Sequence, residues 1–101
     1  MKMYILIREF VPLGKAVLVS AHSSLACYLK FKEHLEMQQW LDTSFKKVVC
    51  VVNDAEFEKA RLESDNVVLT ESTLDNQEVS VAFCPRVEYP KMFKFLRLYG
   101  K

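Results

Sequence analysis

Residues 15–31 contain neither glycine nor proline, and they follow directly on Pro12-Leu13-Gly14-Lys15. This stretch constrains the chain most: its length suits a helix and exceeds a strand. Between Lys15 and Lys30, His22 is the one residue able to carry positive charge, and Ser20, Ala21, Ser23, Ser24 and Ala26 are small enough for neighbouring backbone to come close. The remaining residues are apolar almost all round, which predicts burial against both a sheet and a second helix. Residues 3–7, ahead of it, are continuously apolar and bounded by Arg8-Glu9; they read as a buried strand. Pro12 ends that strand, and Gly14 is expected to permit the turn. A strand–loop–helix junction is where α/β proteins often hold phosphate or catalytic groups.

The remainder alternates in the same way. Residues 32–42, anchored by Leu35, Trp40 and Leu41, read as a second, amphipathic helix or an extension of the first. The β-branched residues 48–52 form a second strand, closed by Asn53-Asp54. Asp54 begins a helix with Phe57, Ala60 and Arg61-Leu62 on one face and acids in its first turn, as the helix dipole prefers. Strands at 67–70 and 79–83 flank a polar loop from Glu71 to Gln77. Pro90 suits the first turn of a closing helix over 91–99, with Phe93 and Leu96 inward.

The order β-α-α-β-α-β-β-α is that of a three-layer α/β fold. Helices between the first three strands imply parallel crossovers, and the short link between the last two implies an antiparallel pair. The expected sheet is mixed and four-stranded, in the order 2-1-4-3 with strand 4 antiparallel and helices on both faces. The carboxyl ends of its three parallel strands deliver residues 11–15, Asn53-Asp54 and 71–73 to one edge, where open α/β sheets bind ligands.

Charge is nearly balanced, with 14 basic and 13 acidic residues, and gives no global argument for a nucleic-acid partner. Locally, Lys91, Lys94, Arg97 and Lys101 occur without an acid, which reads either as a basic face or as a solvated helix face. Cys27, Cys50 and Cys84 lie far apart in apolar runs, without C-x-x-C or Cys/His spacing. They are expected to be buried thiols in a reducing compartment rather than zinc ligands or a disulfide, and no metal or cofactor is expected. Residues 1–101 read as one domain. The opening residues lack a signal-peptide pattern and no segment is long and apolar enough to span a bilayer, so the expected location is cytoplasmic.

Several stretches together resemble the archaeal/eukaryotic-type (type 2) peptidyl-tRNA hydrolases. These are the strand ending Leu6-Ile7-Arg8, the Leu13-Gly14-Lys15 turn, the helix with Ser20-Ala21-His22-Ser23-Ser24 and Tyr28, the strand Lys46-Lys47-Val48-Val49, and the closing stretches 79–85 and 95–99. The resemblance covers nearly the whole chain and implies hydrolysis of the ester joining a peptide, or an N-blocked aminoacyl group, to tRNA. It further implies peptidyl-tRNA as partner and admits a homodimer, although no self-complementary patch is evident.

The family pattern is altered where its chemistry lies. Its loop has two lysines where this chain has Lys15, which matches the second if the shortening lies in the loop and the first, usually held responsible for activity, if it lies at the helix start. The family's helix glutamine is replaced by Val19. Its aspartate-alanine-glycine-arginine-threonine loop becomes Glu71-Ser72-Thr73-Leu74.

Ester hydrolysis requires a group that orients or deprotonates water and a positive donor at the developing oxyanion. Glu71 suits the first role and Lys15 the second, with Ser72 or Thr73 holding the water. Lys15 could instead grip a phosphate at the helix N-terminus. The catalytic candidates are therefore Lys15, Glu71, Thr73 and His22, with Gly14 and Ser72 as substrate-binding candidates. Each has a plainer reading: Lys15 as a solvated first-turn lysine, His22 as a hydrogen-bonded core histidine, Glu71 as a loop acid. Trp40, Phe93 and Phe95 read as core or dimer contacts rather than a base-stacking platform. The alternative from another class is a non-catalytic member that binds RNA or protein.

Overall fold

Met3, Tyr4, Ile5, Leu6 and Ile7 are all buried in the computed structural model, which describes residues 1–101. They form most of β1 (Lys2–Arg8). Side chains alternate across a strand, so Met3, Ile5 and Ile7 enter one core with Val19, Cys27, Met37 and Trp40, while Tyr4 and Leu6 enter another with Phe57, Phe83 and Phe93. Burying each large apolar side chain contributes about 1.5–3 kcal/mol, which explains why this strand lies at the centre.

Around it stand α1 (Leu13–Phe31), α2 (Leu35–Asp42), β2 (Lys46–Val52), α3 (Asp54–Ala60), β3 (Asn66–Glu71), β4 (Gln77–Phe83) and β5 (Arg97–Leu98). The sheet order is β3-β4-β1-β2-β5. β1 pairs in parallel with β2 from Lys2↔Lys46 to Arg8↔Val52. β4 runs antiparallel to both β1 and β3. The two cores lie on opposite faces of the sheet, α1 and α2 on one and α3 on the other.

Four expectations need correction. The sheet has five strands rather than four, and residues 91–99 are not a helix. Only Lys91–Phe95 coils, as a 3-10 turn, before the chain straightens into β5. A nine-residue helix gains little from its own hydrogen bonds, whereas an extended segment satisfies the open edge of β2: Leu98 pairs with Cys50, Arg97 with Val51, and Tyr99 N–H donates to Val49 O at 2.9 Å. The burial of α1 is also one-sided. Ala16, Val19, Ser23, Cys27 and Phe31 face the sheet at helical spacing, while Leu13, Val17, Leu18, Leu25 and Leu29 stay exposed because nothing lies over them. Finally, Gly14 is not needed for the turn: it lies in the first helical turn without positive φ, and a Cβ there would meet nothing within 4 Å.

α3 starts at a reciprocal cap. Asn53 Oδ1 accepts from Glu56 N–H and Glu56 Oε1 accepts from Asn53 N–H, both at 2.8 Å. Leu62 falls beyond its end and is exposed.

Candidate active site

The carboxyl ends of β1, β2 and β3 share one edge of the sheet, together with the start of β4. Arg8 and Arg61 brace this edge. Arg8 donates to Asp54 Oδ1 at 2.8 Å and to Glu78 O at 3.1 Å, tying the end of β1 to α3 and β4. Arg61 grips the Glu78 carboxylate with two bonds of 2.5 and 2.9 Å. That pairing holds the Glu78 carboxyl below the usual carboxylate range and pushes the Arg61 guanidinium up. Sequence reasoning missed this bracing set; the acid-base alternation at element ends was its only signal.

Glu71, the last residue of β3, turns its carboxylate onto the next turn. Its Oε2 accepts from Thr73 N–H at 2.9 Å and from Thr73 Oγ1 at 2.7 Å, capping the 3-10 turn Ser72–Leu74. Its Oε1 has no hydrogen-bond partner in the chain. The two bonds from Thr73 hold the carboxyl below its ordinary range; slight burial opposes this, and the charges of Lys15 and His22 add to the lowering. Glu71 is therefore ionised at neutral pH.

Lys15 and His22 come together because they stand two turns apart on one side of α1. This is the side toward β3, as the bond from Lys30 Nζ to Asn66 O at 2.7 Å shows. Neither makes an ion pair with Glu71, so their charge reaches it across open space. His22 is exposed and makes no hydrogen bond, which overturns its reading as a core histidine. The periodicity of the buried stripe would have revealed this, since His22 falls outside it.

The N-terminus of α1 adds backbone donors to the same edge. Pro12 precedes it with no side-chain cap, and Ala16 N–H is the first to find a helical carbonyl, Pro12 O at 2.8 Å. The N–H groups of Leu13, Gly14 and Lys15 are thus free for an anion. Gly14 leaves the surface in front of it open. Ser72 is exposed on the 3-10 turn. The structure therefore gathers Glu71, Thr73, Lys15 and His22, with Gly14 and Ser72 at the margins. Trp40 and Phe93 are buried, whereas Phe95 is exposed.

A family model described as peptidyl-tRNA hydrolase PTH2 matches residues 1–79 of the chain. The chain belongs to this family. A search of curated proteins finds no match. Every candidate active-site residue lies within the PTH2 match, whereas residues 80–101, where the expected closing helix is replaced by a 3-10 turn and β5, lie outside it. The family gives a peptidyl-tRNA hydrolase type of function, with peptidyl-tRNA as its substrate class. No helix is long and apolar enough to cross a membrane.

Proposed function

We propose that this PTH2 member hydrolyses the ester joining a peptide, or an N-blocked aminoacyl group, to tRNA, at the edge where Glu71, Thr73, Lys15 and His22 meet. The observation that carries this reading is the Glu71 carboxylate: one oxygen is fixed by Thr73, the other is free, and Lys15 and His22 lie within electrostatic reach. The free oxygen takes a proton from a water as the water oxygen bonds to the ester carbonyl carbon, and returns it to the ribose oxygen as the ester C–O bond breaks. Lys15 and the unpaired N–H groups of α1 receive the negative charge that develops on the ester carbonyl. Thr73 keeps the carboxylate ionised and aimed, and His22 and Ser72, with the open surface at Gly14, contact substrate. Pairing of two copies accompanies this reading, and sedimentation velocity tests it.

The deciding experiment measures peptide release from a labelled N-acylated aminoacyl-tRNA, with Lys15→Ala and Glu71→Gln run alongside. Turnover that disappears in both variants, while their folds persist by circular dichroism, supports the assignment. Unchanged turnover in either removes that residue from the mechanism. Retention of tRNA by the wild type without turnover would support the binding-module reading instead.

A further inference from the structure

A concavity of about 530 Å³ lies at the end of β1 away from the Glu71 edge. Seven residues at about 3.3 Å each place it roughly 20 Å from the Glu71 edge. Lys2 and Tyr4 of β1, Arg86 and Tyr89 of the segment after β4, and Lys91 and Lys94 of the 3-10 turn contribute to its walls. Arg86, Tyr89, Lys91 and Lys94 all fall outside the residues matched by the family model. Its size lies within the ~300–1,000 Å³ typical of small-molecule sites.

Most of the charge at this site is uncompensated. Lys2, Lys91 and Lys94 make no ion pair, in contrast to Arg8, Arg61 and Arg97, each held by an acid. Arg86 pairs with Glu63 across 3.8 Å, beyond hydrogen-bonding distance, with its Nη1 closed off from solvent. Glu88 is the one acid in the lining. Three unpaired lysines beside Arg86 thus face one lining carboxylate in a chain whose net charge is only +1.

The floor is aromatic and rigid. Tyr4 meets Tyr89 edge-on at 4.6 Å and Phe93 at 5.2 Å, and Tyr89 lies 5.0 Å from Phe93. The Tyr89 hydroxyl donates to Lys2 O at 2.8 Å, and the Arg86 guanidinium lies over the Tyr89 ring at 5.2 Å. A basic rim above an aromatic and guanidinium floor matches a ligand that joins a phosphate to a planar ring: cations take the phosphate, and the ring packs on the floor.

We infer that the pocket of Lys2, Arg86, Lys91 and Lys94 over Tyr4 and Tyr89 is a nucleoside-phosphate site separate from the Glu71 edge. Its ligand is a free nucleotide or one nucleotide of an RNA strand; the phosphate-plus-base chemistry is the same.

The test is calorimetric titration of the full chain with AMP, adenosine, inorganic phosphate, tetraglutamate and a six-nucleotide RNA. AMP is expected to bind at millimolar concentration or below, with adenosine and phosphate each at least tenfold weaker. Lys91→Ala/Lys94→Ala, a change of two exposed side chains, is expected to weaken AMP at least tenfold, and Glu71→Gln to leave it unchanged. RNA no tighter than AMP identifies the free nucleotide as the source; tighter RNA binding with a steeper salt dependence identifies the strand. The inference is overturned by absent AMP binding, by binding that survives the double lysine change, by phosphate or tetraglutamate matching AMP, or by loss of AMP binding in Glu71→Gln. Because the titration needs no turnover, its result is independent of the hydrolase reading.

Discussion

Ser23 of α1 and Ser80 of β4 face one another inside the core, each 0% exposed, with their Oγ atoms 2.7 Å apart. Replacing either by alanine strands the remaining hydroxyl where water cannot reach it. An unsatisfied buried polar group costs about 1–3 kcal/mol, whereas removing both partners can be nearly neutral. Ser80→Ala and Ser23→Ala are therefore each expected to cost about 2 kcal/mol. At about 4–8 °C per kcal/mol for a domain of this size, the melting temperature falls by about 8–16 °C. The double variant is expected to lose far less than the sum of the two single losses. Urea unfolding followed by the fluorescence of Trp40, the single tryptophan, reads this directly. Trp40 is buried with its Nε1–H donating to Lys46 O at 2.8 Å, so its signal changes when the core opens. Single variants indistinguishable from wild type, or a double variant that loses the full sum, would refute the reasoning. The result bears on function because this contact helps set where α1 presents Lys15 and His22.

Three further outcomes are expected. Glu78 has a carboxyl lowered by Arg61, so its ionised form stabilises the fold above the unfolded-state pKa, and this contribution disappears as pH falls through the folded value. Glu78→Gln should accordingly show a lower urea midpoint at pH 7, with the gap closing toward strong acid; a gap that widens there contradicts the assignment. The three thiols are buried, with burial pushing Cys27 up to about 12 and Cys50 and Cys84 up to about 11. A disulfide reagent at pH 8 should react slowly with native protein and with three thiols after denaturation; rapid native labelling would contradict the packing. Tyr99→Pro removes the donor that reaches Val49 O and is expected to speed amide exchange in β2 and promote concentration-dependent aggregation. A variant that stays monodisperse with protected β2 amides would show that β5 does not guard that edge.

The parts legible in the sequence are those whose local pattern and tertiary role agree. Met3 to Ile7 could only be a buried strand, residues 15–31 had helix length, and the parallel crossovers brought Lys15 and Glu71 to one edge before any side chain was placed. The closing segment misled because Pro90 and the spacing of Phe93 and Leu96 fit a helix, while the decisive contact, pairing with β2, lies far away in the chain. His22 misled in a similar way: an apolar helix suggested a core position, but which side of α1 faces inward follows from the stripe of Ala16, Val19, Ser23 and Cys27. The Thr73 bonds to Glu71 depend on the turn geometry, with Asp75 and Asn76 both at positive φ; these residue types favour that conformation, but nothing in the loop's own sequence aims the Glu71 carboxylate at Thr73.

The central position of β1 also sets the order in which the molecule can be completed. This strand is made well before β4, yet one of its two edges closes only when Ile5 meets Ala82 and Leu6 meets Val81. Until β4 has been synthesised, β1 and β2 form a two-stranded parallel ribbon with an unpaired apolar edge, a species that depends on late, distant contacts for its stability. Folding of this sheet is therefore closed by β4 rather than completed at β1 and β2. A ribosome stalled before β4 would hold an adhesive intermediate, and a chaperone that shields the β1 edge would act on this protein during synthesis rather than after it.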